Sequence, residues 1–388
     1  MIFHGYSYRL YPTDKQSEQM LQISSACRAI WNAALEQRID HWRNYQARTG
    51  NNLNYVTQCR ELTALRAEFD WVRAVSQTAQ QRTLKDLDTS FRRFFSGQGG
   101  FPKWKVKGKH EAFSHVGREV HVEKINKRWS RVRLPKIGWV KFRRHRNLQG
   151  TIAEAAIVLM PLGWQISFGC KVDAETIDNG QVVGIDRGVA VPLMLSDGTS
   201  YALPDNIEAI QRRYRRACKA FSRKKRGSRR HDKARRRVAA LKSRQARARK
   251  DWAHKATTDI ASRYSHVVVE RLRTKNMTAR AHFKGVAQKR GLNRSILNVG
   301  WHQIETMLAY KCTTVTKVDP AYTSQTCSSC GTVDSRSRKS QASFVCTACG
   351  HRDNADRNAA VVILNRGNTP GTEMVRRAVD EVRTSQAA

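Results

Sequence analysis

The sequence predicts a mixed α/β chain in two parts: a small β module interrupted by helices, then an α/β domain with a metal-stapled insert. Three observations predict it. Strand-like alternation occupies residues 2–12 and returns between about 120 and 172, with helical patterns between. From Gln181 onward, buried-type strands alternate with helical stretches. Just before the last helix, Cys327, Cys330, Cys346 and Cys349 form two CxxC knuckles separated by fifteen residues. That spacing suits one tetrahedral zinc ion held by four thiolates.

Composition narrows the function. The chain has 388 residues, enough for two or three domains, and a net charge of +39. Such an excess repels itself unless a polyanion neutralises it, which points to nucleic acid. An anionic membrane is the rival, but no apolar run approaches the ~20 residues of a spanning helix. The opening MIFHGYSYRL lacks the apolar core of a signal peptide. Beyond the knuckles, Cys27, Cys59, Cys170, Cys218 and Cys312 are scattered and suggest no disulfide framework. A reducing cytoplasm is the expected compartment.

Taken in order, residues 2–12 read as a strand ending at a proline, and Thr13 with Gln16 makes a capping box. Ile23, Cys27, Ile30 and Ala34 then recur at helical spacing beside Trp31. A second helix is expected from about Val75 to Phe95, with Leu84, Leu87, Phe91 and Phe94 as its core stripe, stopped by Ser96–Gly100. Phe101–His110 interleaves aromatics with lysines, a pattern that suits either base stacking and phosphate contact or a solvated loop. Short alternating runs from 120 to 172 suggest a small barrel or curled sheet completed by residues 2–12.

In the second half, QVVGIDRG is a strand with Asp186 near its end. VPLMLS and TSYAL follow, joined by the hairpin signal Asp197-Gly198. A long helical region runs from about 206 to 263. HVVVERL is another strand with Glu270 at its end, Ser295–Tyr310 a helix, and CTTVTKV a strand. The knuckles and a final helix bearing Asp356 complete the chain. Three antiparallel strands, helix, strand, helix, strand, helix is the ribonuclease H-like order. In that order Asp186, Glu270 and Asp356 converge, and three carboxylates at one point need divalent cations between them. Magnesium takes oxygen ligands, and a pair of such ions can activate water and stabilise a leaving phosphodiester oxygen. Gly184 and Gly188 are expected to leave room for metal and phosphate. Singly, Asp186 also reads as a turn residue, Glu270 as a surface partner of Arg271, and Asp356 as a helix N-cap. Residues 211–250 hold twenty Lys or Arg and one acid, Asp232, a candidate phosphate-binding helical surface or basic arm. Residues 273–293 read as a lid over the acids or as a plain loop. His351 could enter the metal site, although four thiolates already suffice.

The segments YRLYPTDKQ, LDTSFRRFF, GFPKWKVK, GIDRGV, VVVERLRTKNM, DPAYTSQTCSSCG and CGHRDNADRNAA resemble the TnpB family of transposon-encoded RNA-guided endonucleases, relatives of type V CRISPR effectors. The resemblance covers nearly the whole chain. It implies an N-terminal β-barrel wedge domain (1–13 and 119–172) carrying an inserted helical recognition domain (14–118), then a linker (173–180). A RuvC-like nuclease domain (181–318 and 352–366) would follow, with a zinc-ribbon insert (319–351) and a mobile tail (367–388). It implies Asp186, Glu270 and Asp356 as the magnesium-binding catalytic acids and Cys327, Cys330, Cys346 and Cys349 as zinc ligands. The implied partners are a guide RNA from the transposon end, pairing with one strand of a double-stranded DNA target, and a short adjacent DNA motif read by the protein. The protein would act as a monomer with its RNA. One departure is Val362, where the family often has a polar residue. The intact acids argue against a regulator without nuclease activity; a strand-joining transposase is the other alternative.

Overall fold

The computed structural model describes residues 2–45, 48, 50, 53–109, 111–173, 178–279, 285–340, 342–368 and 374–376. The chain forms two compact units, 1–174 and 175–388. Among the described residues no helix is long and apolar enough to cross a membrane.

The first unit is built on β1 (Ile2–Tyr11), β2 (Ala112–Val116), β3 (His121–Lys124), β4 (Trp129–Leu134), β5 (Gly138–Arg143), β6 (Thr151–Met160) and β7 (Gly163–Val172). Their order is β2-β6-β7-β1-β5-β4-β3, and β1 pairs antiparallel with both β7 and β5. Strand side chains alternate between faces, so Val132 and Leu134 of β4 and Trp164, Ile166 and Phe168 of β7 share one core with Tyr8 and Phe142. Hydrogen bonding leaves β2 and β3 as edges. β2 also rejoins the sheet at Ala112, earlier than the expected return at 119.

Between β1 and β2 lie α1 (Asp14–Asn44), α2 (Tyr55–Glu68), α3 (Asp70–Arg73) and α4 (Gln77–Phe95). The capping box is present: Gln16 N donates to Thr13 Oγ1 at 3.3 Å and Thr13 N donates to Gln16 Oε1 at 3.1 Å. The expected apolar stripe of α1 is divided between two cores. Met20, Ile23 and Cys27 join the sheet core, while Ile30, Trp31, Ala34 and Leu35 pack with Leu62, Leu84, Leu87 and Phe91. At ~1.5 Å per residue a helix of this length can serve both. Phe94, expected in the core stripe of α4, is instead 37% exposed.

The second unit opens with the antiparallel strands β8 (Val182–Asp186), β9 (Leu193–Leu195) and β10 (Ser200–Tyr201). Next come α5 (Asp205–Ser222), α6 (Arg229–Arg263), β11 (His266–Glu270), α7 (Thr274–Met277), α8 (Val286–Val299), α9 (Trp301–Lys311) and β12 (Thr314–Val318). The cysteine insert carries β13 (Ser343–Val345) and β14 (Arg352–Asn354), followed by α10 (Ala355–Gly367) and β15 (Met374–Arg376). The sheet order is β10-β9-β8-β11-β12-β15, with β8, β11 and β12 parallel and β15 antiparallel to β12. The expected helix over 295–310 is two helices, because Gly300 at φ 76° ends α8 and starts α9. Within the expected lid or loop of 273–293, α7 and the start of α8 are helical and 280–284 lie outside the described residues. In the expected linker, 174–177 lie outside them. In the expected tail, 367–368 finish α10, 374–376 pair with β12, and 369–373 and 377–388 lie outside the described residues.

β8 and α10 approach each other closely at Gly184. A Cβ on Gly184 would lie 2.2 Å from the Ala360 carbonyl oxygen and 2.7 Å from Leu364 N, and one on Gly188 would lie 2.5 Å from the Val191 carbonyl oxygen. These glycines therefore admit a helix and a tight turn, correcting the expectation that they clear space for metal and phosphate. Gly184→Ala should cost the C-terminal unit about 3 kcal/mol, the upper range for overpacking. Denaturant unfolding checks this, and an unchanged midpoint would contradict the close-packing account.

Candidate active site

The parallel register places Ile185 of β8 opposite Val269 of β11. Asp186 and Glu270 therefore end adjacent strands one residue further on, at the same edge of the sheet. Asp356 is the second residue of α10, which packs on β8 and is held there by the Gly184 contact. The helix N-cap is Asn354, whose side-chain oxygen accepts from Asp356 N at 2.9 Å and Arg357 N at 3.1 Å. The capping alternative for Asp356 is thus corrected: its carboxylate caps no helix and meets Arg338 instead. Glu270 is not a surface group: it is 7% exposed and accepts a 2.5 Å hydrogen bond from the Thr323 hydroxyl.

Asp186 feels both of the other carboxylates. Burial, then the neighbouring Glu270 and Asp356 carboxylates, push Asp186 up to about 7, against the pull of Arg338. Burial also raises Glu270, opposed by the Thr323 hydroxyl and by Arg187 and Arg366. Buried acids that resist ionisation are what a divalent cation relieves, and a donor set of carboxylate oxygens fits a hard ion. Two protein cations stand beside them. Arg338 Nη2 donates to Asp356 Oδ1 at 3.0 Å, and the buried Arg187 donates to the Glu270 backbone oxygen and, at 2.9 Å, to Glu305.

The four cysteine sulfurs form a tighter cluster, with all ligand atoms within 4.8 Å of one another, the only such group of His, Cys, Asp or Glu among the described residues. Carboxylates flanking a pair of ions ~4 Å apart need no such mutual closeness. Each knuckle closes the same way. Gly331 N donates to Cys327 O at 3.0 Å and Gly350 N to Cys346 O at 3.1 Å, with both glycines at positive φ, 76° and 72°. His351 lies against Ser328 at 3.3 Å and is outside the sulfur cluster.

The insert grips the acid site through side chains that sequence reasoning missed. Asn358, fully buried on α10, donates to Thr326 O at 2.8 Å and accepts from Ser328 N at 2.9 Å, pinning the first knuckle to the helix. Arg366 donates to the Asp319 and Ala321 carbonyls at 2.9 and 2.7 Å. Asn358 had a local signal, a polar residue inside an apolar helical run; Thr323 and Arg338 had none. Val362 is buried, 4% exposed, so the family's polar position is an apolar packing site here. The basic stretch is a hairpin of α5 and α6 turning at Gly227, with most of its arginines and lysines exposed.

Three family models match the chain: a helix-turn-helix domain over residues 1–47, a probable transposase over 165–281 and a Cas12f1-like TNB domain over 301–363. In this structure the first range holds a strand and one long helix. InsQ of Escherichia coli (strain K12), which carries the name of an RNA-guided DNA endonuclease, is 32% identical over 94% of this chain and 92% of its own length. The CRISPR-associated endodeoxyribonuclease Cas12f1 of Sulfoacidibacillus thermotolerans is 30% identical over 50% of this chain and 48% of its own. A solved Cas12f1 chain, from a complex with sgRNA and target DNA, superposes with a TM-score of 0.57 over 96% of this chain and 99% of that one. At 13% identity, that likeness is one of fold. The near-full-length match to InsQ, together with the transposase-type models, shows that the chain belongs to the TnpB-like family of transposon-encoded proteins.

Proposed function

We propose that the protein is an RNA-guided DNA endonuclease of a transposable element and that Asp186, Glu270 and Asp356 hold its catalytic magnesium ions. The observation that carries this reading is that Asp186, at one strand end, is raised by the carboxylates of Glu270 at the adjacent strand end and Asp356 at a helix start. The name of InsQ supports the activity. The parallel core β8-β11-β12 with its antiparallel flank supports a RuvC-like, ribonuclease H-like nuclease domain over 181–318 and 352–366. The single core shared by all of the seven-stranded sheet's inner strands supports a curled, barrel-like wedge open between β2 and β3, with the helices of 14–118 as its recognition insert. The cysteine cluster supports a structural zinc ribbon at 319–351.

When bound, magnesium supplies a hard Lewis acid that neutralises phosphodiester charge and lowers the pKa of water. The chain's own residues position that chemistry. Asp186 and Glu270 present oxygens from adjacent strand ends; Thr323 orients Glu270, Arg338 orients Asp356, and Arg187 anchors the end of β11. The exposed cations of α5 and α6 hold the phosphates of guide RNA and heteroduplex, a sequence-independent grip. The guide comes from the transposon end and the target is duplex DNA beside a short motif. The protein acts as a monomer with its RNA, in the prokaryotic cytoplasm at the nucleoid.

Asp186→Ala should abolish cutting of a matched DNA target while RNA still copurifies; undiminished cutting would refute the assignment. The transposase-type match favours a second reading, strand joining. Denaturing gels of the products should show breaks without joined ends. Removing zinc with a chelator, or replacing Cys346 by Ser, should release about one zinc per chain by elemental analysis. It should also abolish cutting, because Thr323 and Arg338 then lose their support. A chain that cuts normally without zinc would contradict the bracing role.

A further inference from the structure

In the N-terminal unit, the ends of α1 and α4 and the segment after α4 enclose a concavity of about 780 Å³. Its walls are aromatic: Trp42 from α1, Phe91, Phe94 and Phe95 from α4, and Phe101 beyond it. Phe101 meets Phe94 and Phe91 edge-on at 5.3 and 5.6 Å, and Phe91 stacks with Phe95 at 6.2 Å. Trp42 and Phe95 are 65% and 76% exposed. Single exposed aromatics are ordinary, but several around one mouth mark a binding surface.

The polar part of the lining is cationic. Its acid, Asp88, is held by Arg38 at 3.1 Å and Arg92 at 2.7 Å. Arg38 also lies 5.2 Å over the Phe91 ring, and Arg43 adds a further positive charge to the lining. The segment leading away, with its interleaved aromatics and lysines, is anchored to α1. Trp31 Nε1 donates to Lys103 O at 3.0 Å, Asn32 Nδ2 donates to Lys105 O at 3.0 Å, and the Lys105 ammonium sits 3.9 Å over Trp31. Trp104 is left 48% exposed on this anchored strip. Residues 101–109 are a mostly exposed loop, as the solvated-loop alternative has it, tied to α1 at Lys103 and Lys105; His110 lies outside the described residues.

The occupant must offer a flat π face and negative charge. A second copy of this chain, itself at +39, offers the wrong sign. We propose that this concavity binds an unpaired base of the RNA partner, stacked on Trp42 or Phe95, with flanking phosphates on Arg43 and Arg92. The proposal rests on the RNA-guided reading above. RNA is favoured over DNA because an exposed aromatic surface is best covered by the partner that stays bound, and the guide is carried from target to target.

The test uses the full-length chain and its Trp42→Ala and Phe95→Ala variants, both at exposed positions. Fluorescence anisotropy would follow binding of a fluorescein-labelled oligouridylate, an oligodeoxythymidylate of equal length and a blunt RNA duplex. The variant that removes the stacking ring should bind oligouridylate about 10-fold more weakly, as loss of one stacking partner does. The salt dependence should be unchanged, because no phosphate contact is removed. Duplex RNA binding should also be unchanged, and Phe95→Trp should retain wild-type affinity. Silent variants in a chain that binds oligouridylate would overturn this inference alone, whereas a wild-type chain blind to RNA would overturn the RNA-guided reading itself. A larger loss on oligodeoxythymidylate would overturn the RNA assignment in favour of a DNA strand. Conversion of a wild-type dimer to monomer by either variant, seen by sedimentation, would overturn it in favour of a self-interface.

Discussion

The C-terminal unit depends on one backbone contact, the seating of α10 directly on Gly184 of β8. That approach brings a helix start beside two strand ends and puts Asp356, like Glu270, within electrostatic reach of Asp186. The arrangement is costly for the bare protein, since burial and like charge both oppose ionisation. Asp186 is accordingly held up at about 7. Burial and like charge at Asp186 are what a bound multivalent cation would offset, which is the basis of the proposed metal role.

The cysteine insert turns this contact into a rigid site. Two knuckles with the same glycine-closed turn converge four sulfurs, and Asn358 ties the first knuckle to α10. From that anchored insert, Thr323 reaches Glu270 and Arg338 reaches Asp356. Two of the three acids are thus contacted from the insert as well as from their own elements. This coupling gives a physical reason for a four-cysteine cluster to sit in sequence directly before a proposed catalytic acid.

Much of this was legible in the residues. The CxxC spacing marked the sulfur cluster, and acids at the ends of VVGID and HVVVE were placed by strand pattern alone. What escaped has physical causes. Gly300 breaks an otherwise continuous helical pattern through a positive φ, which no periodicity reveals. Gly184 reads as space near an acid, yet its partner lies far along the chain in α10. The stripe of α1 is uniform in sequence but is divided between two cores, a choice made by tertiary packing. Phe94 fits the apolar period of α4 and still faces outward, because the period specifies a face and not its neighbour.

The central claim is that three carboxylates from distant parts of the chain share hard cations. Manganese binding followed by electron paramagnetic resonance tests it most directly, on protein whose cysteine site is filled with zinc. The account predicts binding of two spin-coupled manganese ions, ~4 Å apart as in two-metal nucleases, and loss of the coupled signal in Glu270→Gln. No binding in the wild type, or an unaltered coupled signal in that variant, would contradict it.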